Sequence, residues 1–298
     1  MLTGVQIVLA GGDARQLEVI RKLTELDASV TVVGFERAET PPGAVKAEWT
    51  PEVLASADAL VLPAVGTDDE GVITARYSER ELVLTDAHLA AMPPSGKVYT
   101  GLAKPYLRRL CEKHRIGLEE LFDRDDVAIY NSIPTAEGAI MMAMQHTDIT
   151  IHGSRCMVLG LGRTGLTLAR ALMGLGASVK VGVRRAESFA RAHEMRFEPF
   201  YLEDITRQAA DIDLLFNTIP TMIVTAQVIA ALPPHAVVID LASQPGGTDF
   251  RYAEKRGIKA MLAPSLPGIV APKTAGRIMA NSLARIILED YRQRGNAS

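Results

Sequence analysis

Residues 155–183, RCMVLGLGRTGLTLARALMGLGASVKVGV, decide the fold of this chain. The apolar run Arg155–Leu159 predicts a buried strand, and the glycine-rich turn GLGRTG follows it at 160–165. A helix is predicted from Thr164 to Leu175, and a second strand over Ser178–Val183. A strand, a GxGxxG turn, a helix and a second strand in this order form the dinucleotide-binding unit of a Rossmann fold.

The glycines of this turn have separate tasks in that unit. Gly160 allows the tight turn, Gly162 lets a pyrophosphate approach the backbone, and Gly165 lets the helix pack closely on the strand. The start of the helix presents free N–H groups and the positive end of its dipole to the phosphates. We therefore predict that a nicotinamide dinucleotide binds at Gly160, Gly162, Arg163, Thr164 and Gly165. The alternative is that the glycines merely turn the chain.

Two arginines stand where an acidic residue is usual in NAD enzymes. About 20 residues past the glycines, at the end of the second strand, such enzymes carry a carboxylate for the ribose 2′-hydroxyl. This chain has Arg184 and Arg185 instead. Two guanidiniums suit a 2′-phosphate through charge-assisted hydrogen bonds. The pair favours NADP over NAD; the alternative is two solvated arginines at a strand end.

Two later strand ends add predicted cofactor contacts. Ligands of open α/β sheets bind at the carboxyl ends of the strands, and the segments after the strands Asp213–Phe216 and Val237–Leu241 lie there. Their alternative role is that of ordinary turns with Asn and Ser as local caps. The predicted lining residues are Thr218, Ile219, Pro220, Asp240, Ala242 and Ser243.

The same rhythm of strands and helices runs through the whole chain. It indicates an α/β protein of two doubly wound parallel-sheet domains, a flavodoxin-like or Rossmann-like N-terminal domain and a Rossmann NAD(P)-binding domain. The expected domains are residues 1–132 and 133–272, with the last helix, within 273–298, packing back on the first domain. The remaining predicted strands are Val5–Ala10, Ser29–Val33, Ala59–Leu62, Lys97–Thr100, Val127–Ile129 and Lys259–Leu262, and a bridging helix runs from about Asn131 to His146.

Composition excludes several function classes. The chain has 298 residues, a net charge of −3 and 48% hydrophobic residues, so we expect a small-molecule enzyme rather than a nucleic-acid-binding protein. No segment approaches the roughly 20 apolar residues of a membrane span, and the start lacks the features of a secretory signal, so we expect a cytoplasmic protein. Cys111 and Cys156 have no partner at metal-ligand spacing, which predicts buried thiols, no disulfide and no metal.

Four stretches give the chain a family likeness. VLAGGDARQ from Val8, PAVGTDDEG from Pro63, DLASQPGGTDF from Asp240 and APSLPGIVAPKTAG from Ala263 together resemble the A subunit of bacterial dipicolinate synthase. The resemblance implies an enzyme of the mother cell of endospore-forming bacteria. It would make pyridine-2,6-dicarboxylate from a dihydro- or hydroxytetrahydro-dipicolinate of the lysine pathway, and its partner would be a second, flavoprotein-like B subunit. We also expect a homo-oligomer.

A dicarboxylate substrate needs cations, and five residues in loops expected to face an interdomain cleft are candidates to bind it. The turn after the first strand offers N–H groups at a helix start, so an anion could bind there without a side chain. Arg15 and Lys104 could equally be solvated, and Asp13 could cap the helix. The predicted substrate-binding residues are Gly11, Gly12, Arg15, Lys104 and Lys273.

No pair or triad of side chains singles out a general base, so the catalytic residue stays unassigned. Capping or favourable contact with a helix dipole is an alternative role for several of the candidates. The candidates are His146, Tyr99, Lys104 and Ser243, with His152, Asp86 and Glu137 behind them.

Two other functions fit the same architecture. A 2-hydroxyacid or amino acid dehydrogenase would share the two-domain build, but hydroxyacid enzymes use a His base late in the Rossmann domain, and no His follows His235. A non-catalytic NADP-binding protein that serves a partner enzyme is the other alternative, because no base is identified.

Overall fold

A computed structural model describes residues 1–295. The chain forms two compact units. The first unit comprises Met1–Ala128 and the chain from Pro272 onward, and the second comprises Ile129–Ala271. The sequence placed the first boundary at residue 132, four residues later, because the helix that crosses this boundary begins earlier than its sequence indicates.

The first unit contains a six-stranded parallel sheet and a separate two-stranded antiparallel hairpin. The strands are β1 (Gln6–Ala10), β2 (Ser29–Val33), β3 (Ala44–Lys46), β4 (Ala59–Val61), the hairpin strands β5 (Val72–Ile73) and β6 (Leu82–Val83), β7 (Lys97–Thr100) and β8 (Gly117–Glu120). The helices are α1 (Ala14–Glu25), α2 (Asp86–Ala91) and α3 (Pro105–His114), and α4 (Asp125–His146) leads out of the unit. The sheet order is β3-β2-β1-β4-β7-β8.

The second unit repeats this plan. Its strands are β9 (Arg155–Leu159), β10 (Ser178–Val183), β11 (Glu198–Tyr201), β12 (Leu214–Asn217), β13 (Val237–Asp240) and β14 (Lys259–Leu262). Its helices are α5 (Arg163–Gly174), α6 (Ala186–Glu194), α7 (Ile205–Gln208), α8 (Ala226–Ala231), α9 (Phe250–Arg256) and α10 (Leu266–Val270). The sheet order is β11-β10-β9-β12-β13-β14.

Both sheets therefore have Rossmann strand order, which confirms the predicted fold class. In each sheet the first strand lies in the middle, and the chain winds first to one side and then to the other. The interiors of the central strands are apolar because helices cover both faces of a parallel sheet; Cys156 to Leu159 in β9 are all 0% exposed. This winding opens a crevice at the carboxyl ends of β1 and β4, and another at those of β9 and β12.

The last helix, α11 (Pro272–Gly295), belongs to the first unit. It packs against α1, and the contact is close because Gly276 has no side chain: a Cβ there would lie 2.6 Å from the carbonyl oxygen of Arg15. Asp290 fixes the other end of α11, since its Oδ2 accepts hydrogen bonds from the Tyr99 hydroxyl at 2.7 Å and from Lys97 Nζ at 2.9 Å. The first unit is thus completed by the last part of the chain.

The strand predicted at Val127–Ile129 is wrong, because these residues lie within α4. Asp125 and Asp126 occupy the first turn of this helix, where carboxylates favour the dipole. The bridging helix was predicted to begin at about Asn131, but α4 begins at Asp125 and contains Pro134 in its interior. The sequence pattern also failed to predict short strands of two to four residues, which are the sheet strands β3, β8 and β11 and the hairpin strands β5 and β6.

Both cysteines are buried and free, as predicted. Burial raises the pKa of the Cys111 thiol to about 12 and that of Cys156 to about 11. Neither thiol is therefore a nucleophile near neutral pH. None of the helices in the described part of the chain is long and apolar enough to cross a bilayer.

Candidate functional site

The turn between β9 and α5 is held in shape by two glycines. Gly160 has φ +94°, and its N–H donates to the Gly182 carbonyl on β10 at 2.9 Å. A Cβ at Gly160 would lie 2.6 Å from Thr218 Oγ1, and one at Gly165 would lie 2.1 Å from the Gly160 carbonyl oxygen. The protein's own packing therefore requires glycine at both positions.

Gly162 differs from these two because nothing in the described protein fills the space beside it. A Cβ built there would have no described atom within 4 Å apart from its chain neighbours, and its φ of −80° suits any residue. Gly162 is the N-cap residue of α5 and supplies no capping side chain. The backbone at Gly162 is therefore open on the side where a side chain would lie, at the turn that Rossmann domains use for a pyrophosphate.

The two arginines after β10 lie at the surface. Arg184 Nη2 donates to Thr221 Oγ1 at 3.4 Å, and Arg185 Nε lies 3.2 Å from Glu187 Oε1. Both side chains are exposed, so each of these contacts contributes about 1 kcal/mol or less. Contacts this weak are readily replaced by contacts with a more highly charged anion. Their position at the carboxyl end of β10 is the one that Rossmann domains use for the ribose of the cofactor.

Asp240 has a different role from the predicted one. It is 0% exposed, and its carboxylate accepts hydrogen bonds from Asn217 Nδ2 at 3.0 Å, Ala242 N at 3.0 Å, Gly247 N at 2.8 Å and Thr248 Oγ1 at 2.6 Å. With its acceptor sites in use, the side chain cannot contact a cofactor. Its prediction as a cofactor ligand is corrected: Asp240 holds the loop after β13 in shape.

The loops after β12 and β13 are packed tightly together. A Cβ at Gly247 would lie 2.4 Å from the Thr221 carbonyl oxygen, so this backbone contact admits only glycine. Thr218 Oγ1 donates to the Leu159 carbonyl at 2.7 Å, which ties the loop after β12 to the glycine turn. The loops leave Pro220 and Ser243 exposed, Thr218 and Ile219 partly exposed, and Ala242 buried.

The glycine turn of the first unit is occupied by the protein itself. The Gly11 N–H donates to the Val33 carbonyl at 2.9 Å, and the Gly12 N–H donates to the Thr74 carbonyl at 2.6 Å. In return, the Arg76 N–H donates to the Gly12 carbonyl at 2.9 Å. The prediction that the Gly11 and Gly12 amides bind an anion is therefore wrong, because the segment leading from β5 uses this backbone.

Asp13 is the N-cap of α1 and also binds Arg15. Its Oδ1 accepts the Arg15 backbone N–H at 3.0 Å and Arg15 Nε at 3.0 Å, while Oδ2 accepts Arg15 Nη2 at 2.7 Å. Burial alone would raise the pKa of Asp13, but the Arg15 hydrogen bonds and the charges of Arg15 and Arg76 outweigh it and hold this pKa below its usual value. Arg15 is thus a partly buried cation fixed at the carboxyl edge of the sheet.

The two predicted substrate-binding lysines also lie in the first unit. Lys104 is the N-cap residue of α3, and its Nζ lies 3.6 Å from Asp69 Oδ2. It follows β7 and therefore lies at the same edge of the sheet as Arg15. Lys273 is exposed in the first turn of α11.

The structure does not bring the predicted bases together. Tyr99 is 1% exposed and its hydroxyl donates to Asp290, so it is a packing residue and its prediction as a catalyst is wrong. His146 ends α4, where its Nδ1 lies 2.8 Å from the Met142 carbonyl oxygen and its own carbonyl accepts Lys259 Nζ at 3.4 Å. Lys259 begins β14, which places His146 at the amino edge of the sheet, opposite the glycine turn. That prediction is also wrong for this reason.

The lower-ranked candidate bases lie in two helices and in the turn before a strand. Asp86, in the first turn of α2, forms ion pairs with Lys113 and His114. Glu137 is exposed in the middle of α4. His152 precedes β9 and so shares the amino edge with His146. Ser243 and Lys104 are the two of the four main candidates that lie at a carboxyl edge and are not buried.

Sequence reasoning missed two features of these edges. The sequence offered Asn217 only as part of a lining segment or as a local cap, whereas its buried amide donates to both Asp240 and the Ile219 carbonyl. Arg76 lies over the Gly12 turn, and nothing in the local pattern around residue 76 indicates this. Such a contact joins residues far apart in the chain.

Comparison with known proteins agrees with this geometry. Residues 6–122 match the family model described as the N-terminal domain of the dipicolinate synthase A subunit, and residues 128–296 match the alanine dehydrogenase/PNT C-terminal domain. The second match covers more than half of the chain, so the second unit is a dehydrogenase-family domain, of the kind that binds NAD(P).

Relatives match over nearly the full length. The chain is 49% identical to the dipicolinate synthase A subunit of Bacillus subtilis (strain 168), over 99% of this chain and 100% of the relative. The crystal structure of the dipicolinate synthase A subunit from Bacillus halodurans has 51% identity and a TM-score of 0.94, over 96% of this chain and 98% of that one. The corresponding crystal structure from Bacillus subtilis has 49% identity and a TM-score of 0.94, over 98% and 99%.

Proposed function

This chain belongs to the family of dipicolinate synthase A subunits, and from that membership we propose that it is an NADP-dependent oxidoreductase that forms pyridine-2,6-dicarboxylate. In the proposed reaction a dihydrodipicolinate gives a hydride to NADP⁺ and a proton to water or a base, which yields dipicolinate, NADPH and H⁺. A hydroxytetrahydro-dipicolinate would first lose water.

The open space at Gly162 is the observation that carries this proposal. Gly160 and Gly165 are required by internal packing, but Gly162 contacts nothing that would demand a glycine. Its missing side chain makes sense if a pyrophosphate lies there, held by the N–H groups of Arg163, Thr164 and Gly165. NADP⁺ would supply a hydride acceptor at this unit when bound.

The choice of NADP over NAD rests on Arg184 and Arg185. Both are exposed, both follow β10, and their present partners are weak surface contacts. A 2′-phosphate would replace Thr221 and Glu187 with a doubly charged ligand that accepts bidentate hydrogen bonds. We propose that Thr218, Ile219, Pro220, Ala242 and Ser243 complete the wall of the site. Asp240 supports them from behind.

The substrate's carboxylates would be bound by cations of the first unit, for which Arg15, Lys104 and Lys273 are the proposed residues. Forming an aromatic ring makes the oxidation downhill, so orientation is the main requirement of the protein. Fixed guanidiniums suit this task because Arg pairs with carboxylates in a defined plane. Ser243 and Lys104 remain the candidates to handle the proton.

A second protein is part of the proposal, because the relatives are named as one of the subunits of dipicolinate synthase. We propose that this partner is the flavoprotein-like B subunit. The present chain would then hold the hydride acceptor. We also expect the chain to form a homo-oligomer.

The purified chain tests the proposal directly. Mixed with freshly generated dihydrodipicolinate and NADP⁺, it should form NADPH, seen by absorbance, and pyridine-2,6-dicarboxylate, seen by chromatography, in equal amounts. Lactate, glycerate and alanine serve as control substrates for the hydroxyacid and amino acid dehydrogenases. Product that appears only with the B subunit would limit this chain to part of the reaction, and turnover of a control substrate alone would refute the proposal.

A further inference from the structure

The segment that covers the glycine turn of the first unit delivers an arginine to it. Ala75 forms a β-bridge with Gly12, and the neighbouring Thr74 and Arg76 exchange backbone hydrogen bonds with Gly12 at 2.6 and 2.9 Å. These bonds use only main-chain atoms of Arg76. Its exposed side chain is therefore held at the turn by its backbone and is free to serve a ligand.

Arg76 creates an excess of positive charge at this position. The Asp13 carboxylate is already paired with Arg15 through Nε and Nη2, and Arg76 lies close enough to lower the pKa of Asp13 further. One carboxylate thus lies in direct contact with one guanidinium and near a second, and these three side chains carry a net charge of +1. Among the described residues, Arg15 Nη1 has no hydrogen-bond partner, and Arg76 has no ion pair within 4 Å, so donors remain for one more anion.

The cluster lies at the crevice that the winding of the sheet creates. Gln16, in the first turn of α1, donates from Nε2 to the carbonyl oxygen of Leu62, the residue directly after β4, at 3.1 Å. The first turn of α1 and the end of β4 are therefore in contact, and Asp13 and Arg15 lie beside them. Gln16 is 1% exposed and its Oε1 has no partner among the described atoms. Open α/β sheets bind ligands at this position.

We propose that Arg76, together with Arg15, binds one carboxylate of the dicarboxylate substrate. Asp13 is a positioning residue in this arrangement, because its carboxylate orients the Arg15 guanidinium through Nε and Nη2. A carboxylate fits better than a phosphate, since the net charge of the cluster is a single unit. The inference rests on the proposed function and names a specificity residue for it.

Arg76→Ala tests the assignment, with Arg80→Ala as matched control. Arg80 is an exposed arginine in the same connection between β5 and β6. Because the backbone N–H of Arg76 makes the bond to Gly12, R76A should fold as the wild type does. A lost charge-assisted carboxylate contact should raise KM for dihydrodipicolinate about 10- to 100-fold, while KM for NADP⁺ and the R80A kinetics stay at wild-type values. Arg76→Lys should recover part of the loss.

A binding measurement gives a readout independent of turnover. Calorimetric titration of the NADP⁺-saturated wild type should show tighter binding of pyridine-2,6-dicarboxylate than of pyridine-2-carboxylate, and R76A should lose most of this preference. Wild-type kinetics and preference in R76A would overturn the assignment of Arg76 and leave the proposed function standing. If the wild type itself neither binds pyridine-2,6-dicarboxylate nor turns over, the proposed function fails with it.

Discussion

The two units share one strand order, yet they treat their glycine turns in opposite ways. In the second unit, the space beside Gly162 is open and the start of α5 has no capping side chain. In the first unit, the Gly12 N–H is bound to the Thr74 carbonyl, and Asp13 caps α1. The same scaffold therefore leaves the backbone of this turn uncovered in one unit and covers it with another segment of the chain in the other.

The ends of the second strands show the same contrast. Glu36 follows β2, in the place where a Rossmann domain carries the acidic residue for ribose, but its Oε2 accepts the Glu79 N–H at 3.2 Å. Arg184 and Arg185 follow β10, are exposed, and make only surface contacts with Thr221 and Glu187. In the first unit the connection between β5 and β6 thus supplies both contacts, through Thr74 and Glu79. Two units with the same strand order therefore differ in how much of the ligand-binding edge is exposed, because the segment inserted between β5 and β6 covers that edge in the first unit.

The largest effect should come from filling the open space beside Gly162. We expect Gly162→Ala to weaken NADP⁺ binding about 100-fold, or about 2.7 kcal/mol, because the methyl group occupies the space required by the pyrophosphate. Folding should be destabilised by no more than about 1 kcal/mol, since φ is −80° and no described atom is in the way, while alanine is a poorer N-cap than glycine. Calorimetry with NADP⁺ and thermal unfolding measure the two quantities.

Gly174→Ala is the matched control, because a Cβ at Gly174, at the other end of α5, also meets no described atom within 4 Å. It should bind NADP⁺ as the wild type does. Equal affinity in G162A and G174A would show that the cofactor does not lie at this turn, and the contrast between the units would lose its meaning.

The reverse result is expected at the filled turn. Gly12→Ala should destabilise the first unit by about 2 kcal/mol, because φ there is +110° and the new Cβ would lie 2.2 Å from Gln16 Cγ. Trp49, the only tryptophan, lies in the first unit and reports its unfolding by fluorescence. The folded variant should bind NADP⁺ normally.

Gly4→Ala separates the backbone cost of a positive φ from the steric contact with Gln16 in that experiment. Gly4 has φ +86° with no described atom within 4 Å of its Cβ position, so G4A carries only the backbone cost of about 1 kcal/mol. A G12A variant no less stable than G4A would mean that the turn is loosely packed and open to ligands after all.

The sequence predicted the second unit's turn well because the signal there is local. GLGRTG, its flanking strands and Arg184 follow one another within 30 residues, so the whole strand, turn, helix and strand pattern is present in one stretch of sequence. Asn217, Asp240 and Gly247 are spaced along the chain and meet only in the fold, so the sequence identified Asp240 but gave it the wrong task.

The first unit resisted prediction for the same physical reason. GGDARQ has the sequence of an anion-binding turn. The Gly12 N–H is used by the carbonyl of Thr74, a residue far away in the sequence. Tyr99 looked like a candidate base until Asp290, at the other end of the chain, proved to bind its hydroxyl. The helix α4 was missed at its start because Val127–Ile129 is too short a run to distinguish a strand from a helix. Residues that act through distant partners leave no mark in a local pattern.

A smaller effect should follow from removing the arginines of the second unit. We expect Arg184→Ala with Arg185→Ala to weaken NADP⁺ binding about 10-fold, or about 1.4 kcal/mol, because exposed charge-assisted bonds are lost. Binding of NAD⁺, which has no 2′-phosphate, should stay the same. Arg191→Ala removes an exposed arginine paired with Glu194 on α6 and is the control. Equal losses for both nucleotides would reject the choice of NADP.

The smallest effect distinguishes the units by their acid sensitivity. Among the described residues, the carboxyl groups with a lowered pKa in the first unit are Asp13, Glu18, Glu36, Glu52, Asp86 and Asp126, whereas in the second unit Asp213 is the one. A carboxyl group whose pKa is lowered by folding stabilises the folded state at any pH above its unfolded pKa of about 4. This stabilisation is lost as the pH falls through the pKa of the folded state. The first unit should therefore unfold at a higher pH than the second. Trp49 fluorescence follows the first transition, and hydrogen exchange of residues 155–183 follows the second.

Asp213→Asn sharpens this test. Burial of Asp213 would raise its pKa, but the backbone N–H of Arg155, His235 and the Arg155 charge outweigh it. Removing the carboxylate should lower the stability of the second unit near neutrality and flatten its acid dependence, while the Trp49 transition stays where it is. Coincident transitions in the wild type, or a Trp49 signal that moves with D213N, would show that the units do not titrate separately, because the loss of paired carboxylates in one would then be felt in both.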